Sequence, residues 1–161
     1  MARSILFACL GNTCRSPLAE GLLRHLLLEA GQGHEFVIAS AGTRVRNIGG
    51  ACDPRALAVA GTRGIDISDL RSRQASADDV ANYDLILAMD EATRSDLLAL
   101  APGAAHKIRL LLDFAPGYGL KDIPDPFNGA SEDYTLALDL IEGGCAGLIT
   151  ALAYRPNSSG S

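Results

Sequence analysis

The stretch Ser4-Ile5-Leu6-Phe7-Ala8-Cys9-Leu10-Gly11-Asn12-Thr13-Cys14-Arg15-Ser16-Pro17 decides how this chain folds. Ser4 to Ala8 is a short apolar run containing Ile and Phe, the pattern of a buried strand. Leu10 to Ser16 is polar around one glycine and reads as a loop. Pro17 suits a first helical turn, and from Leu18 apolar residues return at Leu22, Leu23, Leu26 and Leu27 with helical spacing. Gly31-Gln32-Gly33 ends that helix, and Phe36 to Ala39 reads as a second strand. Strand, loop, helix and strand imply a right-handed parallel crossover.

The alternation continues outward. Arg44 to Cys52 is an aperiodic loop, and Asp53-Pro54 opens a helix to about Thr62, with an N-cap followed by proline. Ser68 to Ala75 is a polar connection, and Ser76 with Asp79 predicts a capped short helix. Tyr83 to Met89 is the clearest strand, Asp90 to Leu100 is helical, and His106 to Leu111 makes a fourth strand. Gly117 to Ala130 is a long loop before a final helix over Ser131 to Tyr154, whose middle Gly143, Gly144 and Gly147 weaken. The expected fold class is α/β: a three-layer sandwich, with a four-stranded parallel sheet, helices on both faces and the binding loop after strand 1. One domain is expected over residues 1–155, with a flexible tail over 156–161.

Composition narrows the function. The 161 residues are 48% hydrophobic and 20% charged, enough for one domain with a real core. The net charge of -5 lacks the basic surplus of a nucleic-acid binder. No apolar run reaches the ~18 residues of a membrane helix. Arg3 followed by Ile5 to Cys9 looks superficially like a signal start, and Leu6 to Cys9 like a lipoprotein cleavage site. The run is shorter than the ~7–15 residues of a secretory core, and a Gly-Asn turn follows it at once. Cys9, Cys14, Cys52 and Cys145 form no CxxC spacing, and His25, His34 and His106 are scattered. Neither a structural zinc site nor disulfide staples are expected, and reduced thiols in the cytoplasm are the simplest account.

The loop after the first strand carries the chemistry. A loop that wraps into a helix N-terminus aims several backbone N–H groups at one spot, an anion nest reinforced by the helix dipole. Leu10, Gly11, Asn12, Thr13, Cys14, Arg15 and Ser16 would line it, with Gly11 and Asn12 best suited to left-handed backbone angles. Arg15 offers a planar fork that matches two phosphate oxygens. Cys9 lies beneath the anion, where the same N–H groups and the Ser16 hydroxyl favour a thiolate nucleophile. No metal or other cofactor is called for, because the thiolate and Arg15 supply what a metal would provide. By itself a cysteine ending a buried strand is more often an inert core residue, and it is the agreement of strand, Gly-Asn, Arg-Ser and helix start that argues for chemistry.

Phosphoryl transfer to a thiolate also needs an acid for the leaving alcohol and a base for the water that follows. Asp125, in Ile123-Pro124-Asp125-Pro126-Phe127, has prolines on both sides to hold it, although Asp-Pro alone also marks a turn. Asp122 lacks the following proline and ranks second. Phe127 would either stack on a substrate ring or pack in the core.

Cys9 to Pro17 resembles the phosphate-binding loop of the low-molecular-weight protein tyrosine phosphatases, whose usual form is C-x-G-N-x-C-R-S-P. Ser40-Ala41-Gly42-Thr43, Asp53-Pro54-Arg55-Ala56, Arg73-Gln74, Met89-Asp90 and Asp125-Pro126-Phe127 also recur in that family in this order, so the similarity covers nearly the whole chain. The resemblance implies hydrolysis of phosphotyrosine on a protein substrate through a phospho-cysteine, by a monomer or weak dimer. Its catalytic residues would be Cys9, Arg15 and Asp125, the last as general acid. It makes Cys14 a redox partner that shields Cys9 by a reversible disulfide, and has Ser40 hydrogen-bond Asn12. An ion pair between Arg73 and Asp90 is expected to tie two loops together.

Three positions depart from the family pattern. Leu70 stands where many members carry a histidine, which predicts weaker bracing of the loop. Arg46 stands near a usual aromatic wall of the substrate slot, so a cation replaces a ring. Thr13 resembles the phosphoarginine-phosphatase branch, making protein-arginine phosphatase the alternative to phosphotyrosine. A thioredoxin-coupled arsenate reductase would need two cysteines after the third strand, and Asp90 to Gly103 contains none. A binding module without catalysis would be expected to lack Cys9, Arg15 or Asp125.

Overall fold

In the computed structural model, residues 3–153 are described; the tail predicted for 156–161 lies outside them. The chain forms β1 (Arg3–Cys9), α1 (Arg15–Glu29), β2 (Phe36–Gly42), α2 (Pro54–Gly61), α3 (Ala77–Asn82), β3 (Leu85–Ala88), α4 (Glu91–Leu100), β4 (Ile108–Leu110) and α5 (Ser131–Ala153). All strand pairs are parallel, in the order β2-β1-β3-β4.

β1 sits inside the sheet and is buried on both faces, which is why its sequence is a continuous apolar run rather than an alternating one. Ile5, Phe7 and Cys9 point into a core shared with α1, α2 and α5. Leu6 and Ala8 point the other way, into a smaller core built with Val80 of α3 and Leu97 of α4. The chain leaves β1 toward β2 on one side and later returns to pair β3 on the other. The carboxyl end of β1 is therefore a topological switch point, where open α/β sheets form crevices.

Two predicted caps are present. Asp53 accepts from the Arg55 N–H at the start of α2, and Ser76 and Asp79 form a reciprocal capping box on α3. Helix α1 starts at Arg15, ahead of Pro17, so the binding loop runs directly into its first turn. β4 is shorter than predicted because 3₁₀ turns over Pro102–Lys107 and Leu111–Phe114 take up its ends.

The glycines of α5 are a correction to the sequence reading. They are sites of close approach, not weak points. A β-carbon on Gly147 would overlap the Phe114 carbonyl oxygen, and one on Gly144 would lie 2.6 Å from Leu111 Cγ. The propensity cost of these glycines lets the turn after β4 pack directly on the helix backbone. With 23 residues, α5 is also long and apolar enough to meet the length and composition of a membrane span, which the count of continuous apolar runs passed over. Its Tyr134, Ala137, Leu138, Ile141, Cys145 and Leu148 are buried within the protein.

Candidate active site

Cys9 ends β1 at the floor of a cleft of about 370 Å³ and is only 3% exposed. Its Sγ accepts from Asn12 N at 3.2 Å and lies 2.9 Å from Ser16 Oγ. Asn12 has φ of 56°, a left-handed angle that asparagine tolerates and most side chains do not. That angle turns the loop back over the sulfur. Gly42, at the end of β2, permits the same wrap, since a β-carbon there would sit 2.6 Å from Leu10 O and 3.0 Å from Asn12 Cβ.

The hydroxyl proton of Ser16 has two acceptors within reach, Cys9 Sγ at 2.9 Å and Ala41 O at 3.5 Å. Arg73 N donates to Asn12 Oδ1 at 2.9 Å, which fixes the orientation of the Asn12 amide. Asn12 Nδ2 then donates to Ser16 Oγ at 2.8 Å and to Ser40 Oγ at 3.0 Å. Ser40 Oγ in turn donates to Glu20 Oε1 at 2.7 Å. With Ser16 already an acceptor from Asn12, its proton is free to point at Cys9 Sγ. A buried network with every member satisfied holds one geometry.

Ser40 thus meets Asn12 as expected, but Glu20 and Ser72 complete the support unforeseen. Glu20 is 5% exposed, paired with Arg24 at 2.6 Å, and Ser16, Glu20 and Arg24 share one helical face at intervals of four. That spacing was the available signal. Ser72 Oγ donates to Asn12 O at 2.8 Å and braces the loop beside Leu70, which stands instead of a histidine.

Arg15 is 2% exposed, so it is no solvated first-turn residue. It donates to Asp90 Oδ2 at 2.7 Å and Ile123 O at 2.8 Å, and its other terminal nitrogen lies 3.6 Å from Asp125 Oδ2. Burial works against its charge, but Cys9, Asp90 and Asp125 outweigh that and hold the guanidinium above its ordinary value. The expected Arg73–Asp90 pair is absent: Arg73 binds Asp79 at 3.0 Å, because Asp79 at the start of α3 is nearer its own loop, and Asp90 turns to Arg15. Burial alone would raise the Asp90 carboxyl, but hydrogen bonds from Thr93 and Arg15 hold it below the usual carboxylate range.

Leu10, Gly11, Thr13, Cys14, Arg46, Asp125 and Phe127 all line the cleft. Phe127 is 55% exposed, which makes it a cleft wall and not a core residue. Asp122 is used elsewhere, accepting from Glu91 N at 2.9 Å. Arg44 and Asn47 also line the cleft and were missed, because nothing in an aperiodic loop marks which side chains turn inward. Burial pushes the Cys14 thiol well above its ordinary value, with Cys9 acting in the same direction. Cys14 therefore stays a thiol beside the nucleophile candidate.

A buried sulfur under a left-handed loop, the unpaired N–H groups of a helix start and a buried arginine form a seat for a tetrahedral oxyanion. The sequence model described as "Low molecular weight phosphotyrosine protein phosphatase" matches residues 4–157. The chain belongs to this family. It is a cysteine-dependent phosphatase, built on the family's four-stranded parallel sheet. A low molecular weight protein-tyrosine-phosphatase of Streptomyces coelicolor is 35% identical over 156 residues, covering 94% of each chain. A protein tyrosine phosphatase of Entamoeba histolytica, crystallised with Hepes in its active site, superimposes with a TM-score of 0.90 at 32% identity, covering 94% of this phosphatase and 97% of that chain. YfkJ of Bacillus subtilis gives a TM-score of 0.90 at 31% identity, covering 95% and 96%.

Proposed function

We propose that the protein hydrolyses phosphotyrosine on protein substrates, with Cys9 as nucleophile, Arg15 as phosphoryl clamp and Asp125 as acid and base. The observation that carries this reading is the sulfur of Cys9, held by Asn12 N and Ser16 Oγ at the floor of a cleft that Asp125 also lines. The loop N–H groups and Arg15 seat the three equatorial oxygens of the phosphoryl group. The Cys9 thiolate attacks phosphorus, and the bond from phosphorus to the tyrosyl oxygen breaks. Asp125, in its acid form, protonates that oxygen. The carboxylate so formed then takes a proton from water, whose oxygen attacks the phospho-cysteine. The phosphorus–sulfur bond breaks, releasing inorganic phosphate and the thiolate. Asn12, Ser16 and Ser40 act as supports for the sulfur, and Cys14 as its redox partner. Phe127 supplies one aromatic wall for the tyrosyl ring.

A second reading, phosphoarginine hydrolysis, rests on Thr13, which lines the cleft together with Cys14. The cations Arg44 and Arg46 in the same wall count against it, because a phosphorylated guanidinium would meet like charge there. Four free thiols support a reducing, cytoplasmic setting. A single catalytic domain acting as a monomer or weak dimer completes the reading.

The test is kcat/KM on one peptide bearing either phosphotyrosine or phosphoarginine, with Cys9→Ser as the blank. Preference for phosphotyrosine supports the first reading, and preference for phosphoarginine moves specificity to Thr13. Cys9→Ser should abolish turnover yet still bind phosphate, and Asp125→Ala should slow turnover by roughly 10²–10⁴. Turnover retained in Cys9→Ser would sink the mechanism.

A further inference from the structure

Four charged residues line the cleft: Arg15, Arg44, Arg46 and Asp125. Three of them have partners. Arg15 is held by Asp90 at 2.7 Å and faces Asp125 at 3.6 Å. Arg44 makes a two-pronged contact with Asp96, at 2.9 and 3.0 Å. Arg46 is different: among the described residues no carboxylate lies within 4.0 Å of it.

The backbone that carries Arg46 is nonetheless fixed on both sides. Arg44 N donates to Leu10 O at 2.8 Å and Val45 N to Gln74 Oε1 at 3.0 Å. Beyond it, Gly49 N donates to Ser72 O at 2.7 Å, and Ser72 N returns a bond to Gly50 O at 2.9 Å. An uncompensated guanidinium is thus presented from a pinned loop beside the phosphoryl seat. Its side chain is exposed, whereas Cys9 and Arg15, where the phosphoryl group belongs, are buried. Arg46 therefore meets parts of the substrate outside the phosphoryl group. On a protein with a net charge of -5, one free cation at the cleft mouth is also a local exception to the field that would repel an acidic segment.

We infer that Arg46 is a specificity-determining residue that pairs with a carboxylate close in sequence to the phosphorylated residue, so that the preferred substrate is an acidic phosphotyrosine segment. This rests on the phosphotyrosine reading above. It assigns the rim of the cleft to the peptide around the phosphotyrosine and leaves the phosphoryl group to Arg15 and the loop. The Arg46 fork suits a carboxylate in the planar, two-pronged way that Arg44 already shows with Asp96.

The experiment compares kcat/KM for three phosphotyrosine peptides of equal length, whose flanking residues are glutamate, alanine or lysine. Wild type should favour the glutamate peptide over the alanine peptide by about fivefold, the scale of one exposed ion pair, and 0.5 M salt should erase most of that ratio, a concentration chosen to shorten screening well below ~8 Å. Arg46→Gln should bring the ratio close to one, and Arg46→Glu should invert it toward the lysine peptide. Thermal unfolding of each variant shows whether it is folded, and Arg46→Gln carries the test if Arg46→Glu is not. Equal wild-type rates on all three peptides, or a ratio unchanged by Arg46→Gln, overturn the inference while leaving phosphotyrosine hydrolysis intact. A uniform loss on all peptides in Arg46→Gln also overturns it, since the cation would then serve the tyrosyl ring. No wild-type turnover of any peptide overturns both readings.

Discussion

Asp90 joins the cleft at the end of β1 to the helix that follows β3: its Oδ2 takes a hydrogen bond from Arg15 Nη1 at 2.7 Å, and its Oδ1 accepts from Thr93 N at 2.8 Å. One carboxylate thus holds the Arg15 guanidinium and caps α4. Arg15 is buried, so the partner it loses is not replaced by water at low cost.

The two jobs of Asp90 separate by substitution. Asp90→Asn keeps a capping side chain and loses the charge, whereas Asp90→Ala loses both. We expect Asp90→Asn to cost about 2 kcal/mol in urea unfolding, and Asp90→Ala about 1 kcal/mol more. Both should lower kcat/KM by roughly 10²-fold, because the clamp loses its orientation. Wild-type kcat/KM in Asp90→Ala would show that Ile123 O alone aims Arg15.

The same carboxylate sets an acid limit. Its folded-state value lies below the ordinary one, so the folded state holds the ionised form more tightly than the unfolded chain does. The stabilisation is complete above the unfolded value of about 3.9 and drains away as pH falls through the depressed folded value. The stability gap between wild type and Asp90→Asn should therefore be widest near pH 6 and shrink toward pH 3. A gap that stays constant over that range contradicts the assignment.

The glycines of the last helix make a prediction opposite to propensity. Gly147→Ala should destabilise by about 1–3 kcal/mol despite a better helix former, since the new methyl meets the Phe114 carbonyl. Gly61→Ala, in α2, has nothing within 4 Å and should stabilise by about 0.5 kcal/mol. Chemical denaturation of the two variants decides between packing and propensity.

Cys14 shares the cleft with Cys9, and both are free thiols. Peroxide would oxidise the Cys9 thiolate to a sulfenic acid. Attack by the Cys14 thiol on that sulfur would expel water and leave a disulfide. Dithiothreitol should then restore wild-type activity after peroxide, while Cys14→Ser should be lost permanently as Cys9 passes to the sulfinic acid. Equal recovery in both proteins removes Cys14 from this role.

Much of what depends on near neighbours in the chain was legible beforehand. The apolar run of β1, the periodicity of α1, the Asp53 and Ser76–Asp79 caps and the grouping of Cys9, Asn12, Arg15 and Ser16 all lie within one or two turns of each other. Backbone geometry at that range follows from side-chain spacing and local hydrogen bonding. Asp125 and Phe127 were legible through the prolines around them and the family resemblance.

What only the tertiary structure decided is the choice of partner across the fold. Arg73 had two carboxylates to choose from and took Asp79, leaving Asp90 to Arg15, 75 residues away. Glu20 found Ser40, Gly147 found Phe114, and Arg46 found no carboxylate among the described residues. Charged side chains are long and flexible enough to reach any of several neighbours, and no sequence period relates residues brought together by the sheet. By itself the sequence determined the elements and the loop that runs from Cys9 into α1. The packing of those elements determined which charges are paired within the protein and which are left unpaired among the described residues, because pairing energies depend on distance and burial that exist only in the folded chain.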